Sequence, residues 1–196
     1  MVRQLIGVLR LQPEVFREIA EDPRATRRSW GIVLGMTCVT AVGRAVAMTM
    51  IPDNAAPFLL EVGRWLLIQT PVNVFSWLIG SLLLSVFAQR IFGVALSRTA
   101  ALRVFGHIRI FAVVGALGAL TPGMPLWFAI VLLVVILHIA ASAVALQTLV
   151  GLSRWRALAC ASAACALALV LAIGALLALI TIAMFTAVQL GLVPNS

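Results

Sequence analysis

The sequence predicts an all-α fold, a polytopic membrane bundle of five transmembrane helices with a short helical segment ahead of it, and three observations carry that prediction. The 196 residues are 63% hydrophobic and only 10% charged, with a mean hydropathy of +1.16. A soluble chain of this length would carry more apolar surface than it could bury. Five apolar blocks, 30–51, 65–87, 104–120, 126–150 and 157–190, compare with the roughly 20 helical residues needed to cross a hydrocarbon core of about 30 Å, the third being slightly short. Finally, basic residues mark alternate connections between the blocks. Arg3, Arg10, Arg17, Arg24, Arg27 and Arg28 precede the first, Arg90, Arg98 and Arg103 follow the second, and Arg154 and Arg156 follow the fourth. The first connection has Arg64 alone. Positive charge stays on the cytoplasmic side, so the N-terminus is expected in the cytoplasm and Ser196 outside.

Residues 1–29 form the polar segment and 30–196 the membrane domain. In the former, Val2, Leu5, Ile6 and Leu9 recur at helical spacing beside Arg3 and Arg10, the pattern of a helix lying in the membrane interface. Pro13 suits the first turn of a second helix running to Ala20. Asp22 before Pro23 reads as the cap of a helix that continues into the first span.

Span one carries Gly31, Gly35, Gly43 and Ala47 on one row and Cys160, Ala164, Ala168 and Ala172 form a similar row on span five, giving two smooth faces suited to close helix approach, to each other or to another protein. Arg44 lies about 10 Å below the outer end of span one. With Asp53 and Glu61 on the next connection, it either snorkels outward to pair with Glu61 or lipid phosphate, or helps form an anion or proton site. Span two places Gln69, Asn73 and Ser76 on one face around Pro71, for interhelical hydrogen bonds or for a solute path. Span three opens on His107 and Arg109, read as interfacial, and span four holds His138. At 1.5 Å per residue His107 is about 5 Å deep and His138 about 18 Å, too far apart to share one haem iron. Span five, about 34 residues long, has to tilt, bend near Gly174 or project from the membrane.

A resemblance supports this layout. The string from Phe16 to Thr26, FREIAEDPRAT, directly ahead of a span, is similar to the N-terminal signature of bacterial members of the Yip family of integral membrane proteins. Leu102 to Gly106 resembles the family's arginine and glycine at the entry of the third span, and Val144 to Gln147 with Arg156 to Leu158 resembles the end of the fourth span and the loop after it. The resemblance implies five spans, a cytoplasmic N-terminus and a role in membrane organisation or trafficking-like interaction.

Several function classes are excluded. The net charge of +8 is accounted for by topology and anionic headgroups, so nucleic acid is not an expected partner. All fourteen basic residues are arginine, as a GC-rich genome would produce. No cleavable signal peptide is expected, because the first long apolar run is a full span. Cys38, Cys160 and Cys165 lie within spans and lack metal spacing. There is no HExxH motif, phosphate loop or nucleophile elbow, and no acid within the spans, so neither catalysis nor a cofactor is expected. What remains is a protein acting through interaction, with the lipid bilayer and with another membrane protein or itself as partners. Its cytoplasmic surface would comprise Arg17, Arg24, Arg27, Arg28, Arg90, Arg98, Arg103, Arg154 and Arg156. Two alternatives stand: a small transporter or channel, which requires a polar cavity joining Arg44, Gln69, Asn73 and His138, with Glu61 near its outer end, and an accessory subunit of a larger respiratory or photosynthetic complex.

Overall fold

The computed structural model describes residues 1–50, 57–118 and 124–189. Asp53, the outer ends of spans one and three, and the C-terminus from Leu190 lie outside them. Every described element is helical: α1 (Val2–Leu9), α2 (Pro13–Glu21), α3 (Ala25–Thr49), α4 (Phe58–Phe92), α5 (Arg98–Ile108), a 3₁₀ turn (Arg109–Phe111), α6 (Ala112–Gly118), α7 (Met124–Val150) and α8 (Arg154–Gln189). Five of these stretches are long and apolar enough to cross a membrane: α3, α4, α5 to α6, α7 and α8. The chain is an all-α polytopic bundle, and its exterior is that of an integral membrane protein. Leu67 is 79% exposed, Val170 64% and Leu132 60%, leaving side chains around the bundle that water would not tolerate in such numbers.

The third span differs from its expected bounds, beginning at Arg98 rather than Val104. Ser97 is the reason: its Oγ accepts the Ala100 N–H at 3.4 Å, capping the helix six residues upstream of the apolar run. Helix α4 overruns the predicted block at both ends and keeps Pro71 inside it without interruption, stopping at Gly93, whose φ of 69° ends the helix in the left-handed region. Helix α8 is continuous through Gly174 over 36 residues.

Helix α3 packs on α4, α5 and α6, whereas α8 packs on α4 and α7. The two smooth faces therefore serve different neighbours. Gly43 sits against the Ala116 carbonyl, while a Cβ at Gly31 or Gly35 would meet nothing within 4 Å. Ala164 and Ala168 are buried, the former in a core with Trp77, Leu84, Phe105 and Leu146.

A second core joins α1 and α2 to the bundle. Val8, Phe16 and Ile19 are fully buried with Val104, Ile108, Phe111, Ala141 and Ala145. Gln4, Gly7 and Val8 form the protein-facing side of α1, and the apolar stripe points outward, with Val2 69% exposed and Ile6 and Leu9 45% each. This is the arrangement of a helix lying against a bilayer with its polar seam on the protein. Two arginines tie this hairpin down. Arg103 donates to the Ala20 carbonyl at 2.7 Å and to Thr26 Oγ1 at 3.0 Å, and Arg28 donates to Asp22 at 2.7 Å and to Gln4 at 3.1 Å. Arg17 reaches the Thr148 carbonyl at 3.5 Å, so the N-terminal hairpin, the start of α5 and the end of α7 gather at one arginine-rich end.

Candidate functional site

The bundle's polar residues converge between its middle and the end opposite the arginines. On α3, Arg44 lies one turn beyond Thr40. On α4, Gln69 and Asn73 are four residues apart and share a face. Thr40 Oγ1 donates to Gln69 Oε1 at 2.7 Å, and Asn73 Nδ2 donates to Thr37 Oγ1 at 3.1 Å. These bonds hold both amides toward a cavity of ≈ 350 Å³ between α3, α4, α6 and α7, whose lining includes Thr40, Arg44, Gln69, Asn73, Arg109 and Trp127. The remaining wall is Val33, Met36, Ala112, Gly115, Ala116 and the valines of α7.

A second cavity of ≈ 420 Å³ adjoins it between α4, α5, α7 and α8, and Ser76, Phe105, His138, Ser162 and Cys165 are in its wall. Asn73, Arg109, Val134 and Val135 belong to both. Arg44, Gln69 and Asn73 thus share one chamber, and His138 lies in the wall of the second. Its Nδ1 lies 2.9 Å from the Val134 carbonyl of its own helix, and its ring packs edge-on to Phe111.

Glu61 is not part of this constellation. It is buried at the start of α4 and faces Arg64 at 3.7 Å, one helical turn away, where an i,i+3 pair forms readily. The expected pairing of Arg44 with Glu61 is therefore corrected. The Arg44 guanidinium lies between two indoles instead, 5.8 Å from the Trp65 ring centroid and 5.3 Å from that of Trp127. Such cation–π contacts orient a half-buried cation.

Arg109 is the residue that the sequence misplaced. Measured from Val104 it is about 8 Å along the span and looks interfacial; measured from the capped start at Arg98 it is about 16 Å along it, where it meets Ser76 midway along α4. Ser97 ahead of Arg98 and Thr99 is the signal that would have located it. Its Nη2 donates to the Ser76 hydroxyl, its Cζ sits 5.7 Å from the Phe105 ring centroid, and its buried Nε has no partner among the described residues.

Toward the arginine-rich end the polar track is sealed. Trp77 is fully buried, donates Nε1–H to the Leu102 carbonyl at 3.0 Å and stacks edge-on with Trp30 at 4.8 Å. Phe105 lies so close over Gly80, and Ser29 over Gly106, that a Cβ at either glycine would collide. His107 belongs to this plug, with Nδ1 2.8 Å from the Arg103 carbonyl and 3.1 Å from Ser29 Oγ. The two histidines thus serve separate regions.

The expected contact surface divides. Arg17, Arg24, Arg27, Arg90, Arg98, Arg154 and Arg156 are exposed, while Arg28 and Arg103 are half-buried and engaged by the hairpin. Hydrogen-bond acceptors within reach, Asp22 and the Ala20 carbonyl, turn those two inward. Among the described residues no three His, Cys, Asp or Glu side chains gather as a metal-ligand set.

Five apolar helices around two adjoining, half-open cavities define an integral membrane protein. Compared with known proteins, the chain matches no family model, no curated protein and no solved structure.

Proposed function

We propose that the chain is a non-enzymatic membrane protein that binds a small solute inside the bilayer, as a carrier or channel does. The observation that carries this reading is the ≈ 350 Å³ cavity bringing Arg44, Gln69 and Asn73 together with Arg109. Polar side chains are costly in hydrocarbon and are kept where they face a partner or a solvated path. A plug of Trp77, Phe105 and close-packed glycines closes the arginine-rich end, so entry is from the opposite end. A carrier has such a shape when it is open to one side only. With the arginines facing the cytoplasm of a bacterial inner membrane, the chamber opens outward.

The test is thiol accessibility. In a background with Cys38, Cys160 and Cys165 replaced by alanine, Thr40→Cys is expected to react with a membrane-impermeant thiol reagent added outside right-side-out vesicles, and to resist it in inside-out vesicles. Equal protection on both sides would refute a solvent-connected chamber.

A second reading follows from the exposed arginines Arg17, Arg24, Arg27, Arg90, Arg98, Arg154 and Arg156, beside which Trp155 is 76% exposed. Arginines next to an exposed tryptophan suit an anionic membrane surface. In this reading the protein acts as the Yip resemblance implies, organising the membrane through lipid and a membrane partner or a second copy. The open faces at Gly31 and Gly35 also leave room for a neighbouring subunit of a larger complex. Native-detergent purification with mass spectrometry decides: a stoichiometric partner supports interaction, and a solitary protein refutes it.

A further inference from the structure

The charge balance of the chamber that Arg44 lines bears on the class of solute, an inference that rests on the solute-binding reading above. Two guanidinium groups, Arg44 and Arg109, line one cavity, and among its described lining residues there is no aspartate or glutamate. The acid nearest in sequence on α4, Glu61, is occupied by Arg64. Arg44 is held by the faces of Trp65 and Trp127, and Arg109 by the Ser76 hydroxyl and the Phe105 face. These partners orient the cations without neutralising them. A guanidinium drawn partly out of water without a counter-charge is unfavourable, and a second beside the same cavity adds to the cost. The Nε of Arg109 is buried and has no acceptor among the described residues, so one N–H of this cation is left without a partner.

We propose that this cavity binds a small organic carboxylate, with its oxyanion drawn to the guanidinium groups that line the cavity and its apolar body against the valine wall. Arginine presents a fork of N–H donors matched to such an anion. With Oε1 of Gln69 engaged by Thr40, the amide N–H₂ is what that side chain offers, a further donor. The size agrees: a cavity of ≈ 350 Å³ has space for about a dozen waters at about 30 Å³ each, suited to a compact acid and too small for a lipid with its acyl chains. Val33, Met36, Ala112, Ala116, Trp127, Val131, Val134 and Val135 form most of the wall, which favours an organic acid over an inorganic ion.

The tryptophans beside Arg44 supply the readout. The full chain in neutral detergent is titrated by intrinsic fluorescence with benzoate, with its cationic and neutral counterparts benzylammonium and benzyl alcohol, and with phosphatidylglycerol in mixed micelles. Benzoate is expected to give a saturable change that Trp127→Phe diminishes, and Arg44→Gln and Arg109→Gln each to weaken binding about 10-fold or more, as loss of a charge-assisted bond does. If Arg109→Gln fails to fold, Arg44→Gln nearer the chamber's end carries the comparison. Benzylammonium or benzyl alcohol binding as tightly as benzoate would overturn the anion assignment and leave the solute-binding reading intact. Saturation by phosphatidylglycerol without benzoate binding would replace the free acid with a lipid headgroup. Silence from every probe while Thr40→Cys still reacts from outside would overturn the carboxylate inference alone; silence together with an unreactive Thr40→Cys would overturn both.

Discussion

Gly106 and Gly35 make a matched pair for testing the sealed end of the bundle. Both are helical glycines, so replacing either with alanine brings the same intrinsic gain, about 1 kcal/mol. Their surroundings differ. A Cβ at Gly35 meets nothing within 4 Å, whereas at Gly106 it collides with the Ser29 side chain and comes within 3.0 Å of Trp77 Nε1. Neither neighbour is free to move: Ser29 Oγ donates to the Arg103 carbonyl at 2.9 Å, and Trp77 Nε1 to the Leu102 carbonyl at 3.0 Å. Forcing one methyl into such packing costs about 1–3 kcal/mol. Because the propensity gain cancels in the comparison, Gly106→Ala is expected to be less stable than Gly35→Ala by that overpacking cost. For a chain of this size it corresponds to a melting temperature roughly 2–12 °C lower. The assay is thermal unfolding in one detergent, followed by circular dichroism, for both variants and the parent. Gly35→Ala should melt at or above the parent and Gly106→Ala at or below it. Equal shifts for the two variants would refute the tight seam between α3, α4 and α5, and with it the closed end of the chamber.

Other consequences are accessible to similar measurements. Arg28→Gln removes a partly buried pair with Asp22 and a bond to Gln4, and is expected to destabilise by about 1–2 kcal/mol, while Arg24→Gln and Arg27→Gln on the exposed face stay within about 0.5 kcal/mol; urea titration in detergent compares them. Ser76→Ala strips Arg109 of its hydroxyl partner at mid-span and is expected to lower stability by about 1–3 kcal/mol, whereas an unchanged midpoint would show that the arginine is satisfied elsewhere. Topology is testable by single cysteines at Thr99 and Leu59, in the cysteine-free background. Thr99→Cys should react only from the cytoplasmic side and Leu59→Cys only from outside, and the reverse pattern would invert the assignment of the chamber's mouth.

The membrane class, the number of spans and the clustering of arginines on alternate connections were legible in the sequence. They depend on composition and on length against the bilayer, which act residue by residue along the chain. The shared face of Gln69, Asn73 and Ser76 was legible too, because helical spacing alone dictates it. Tertiary structure decided which polar groups meet. Arg44 and Glu61 look like partners by depth, yet Glu61 turns to Arg64 one turn along its own helix and Arg44 settles between indoles from α4 and α7. Arg28 and Arg103 look like surface charges until α1 and α2 fold back and place acceptors beside them. Arg109 looks interfacial when counted from Val104, yet its helix starts six residues earlier at a serine cap and its guanidinium meets Ser76 midway along α4, a contact that only the packed helices create. The cavities belong to no single helix, since each is the space left where four or more packed segments fail to touch, and one-dimensional periodicity carries no record of that distance.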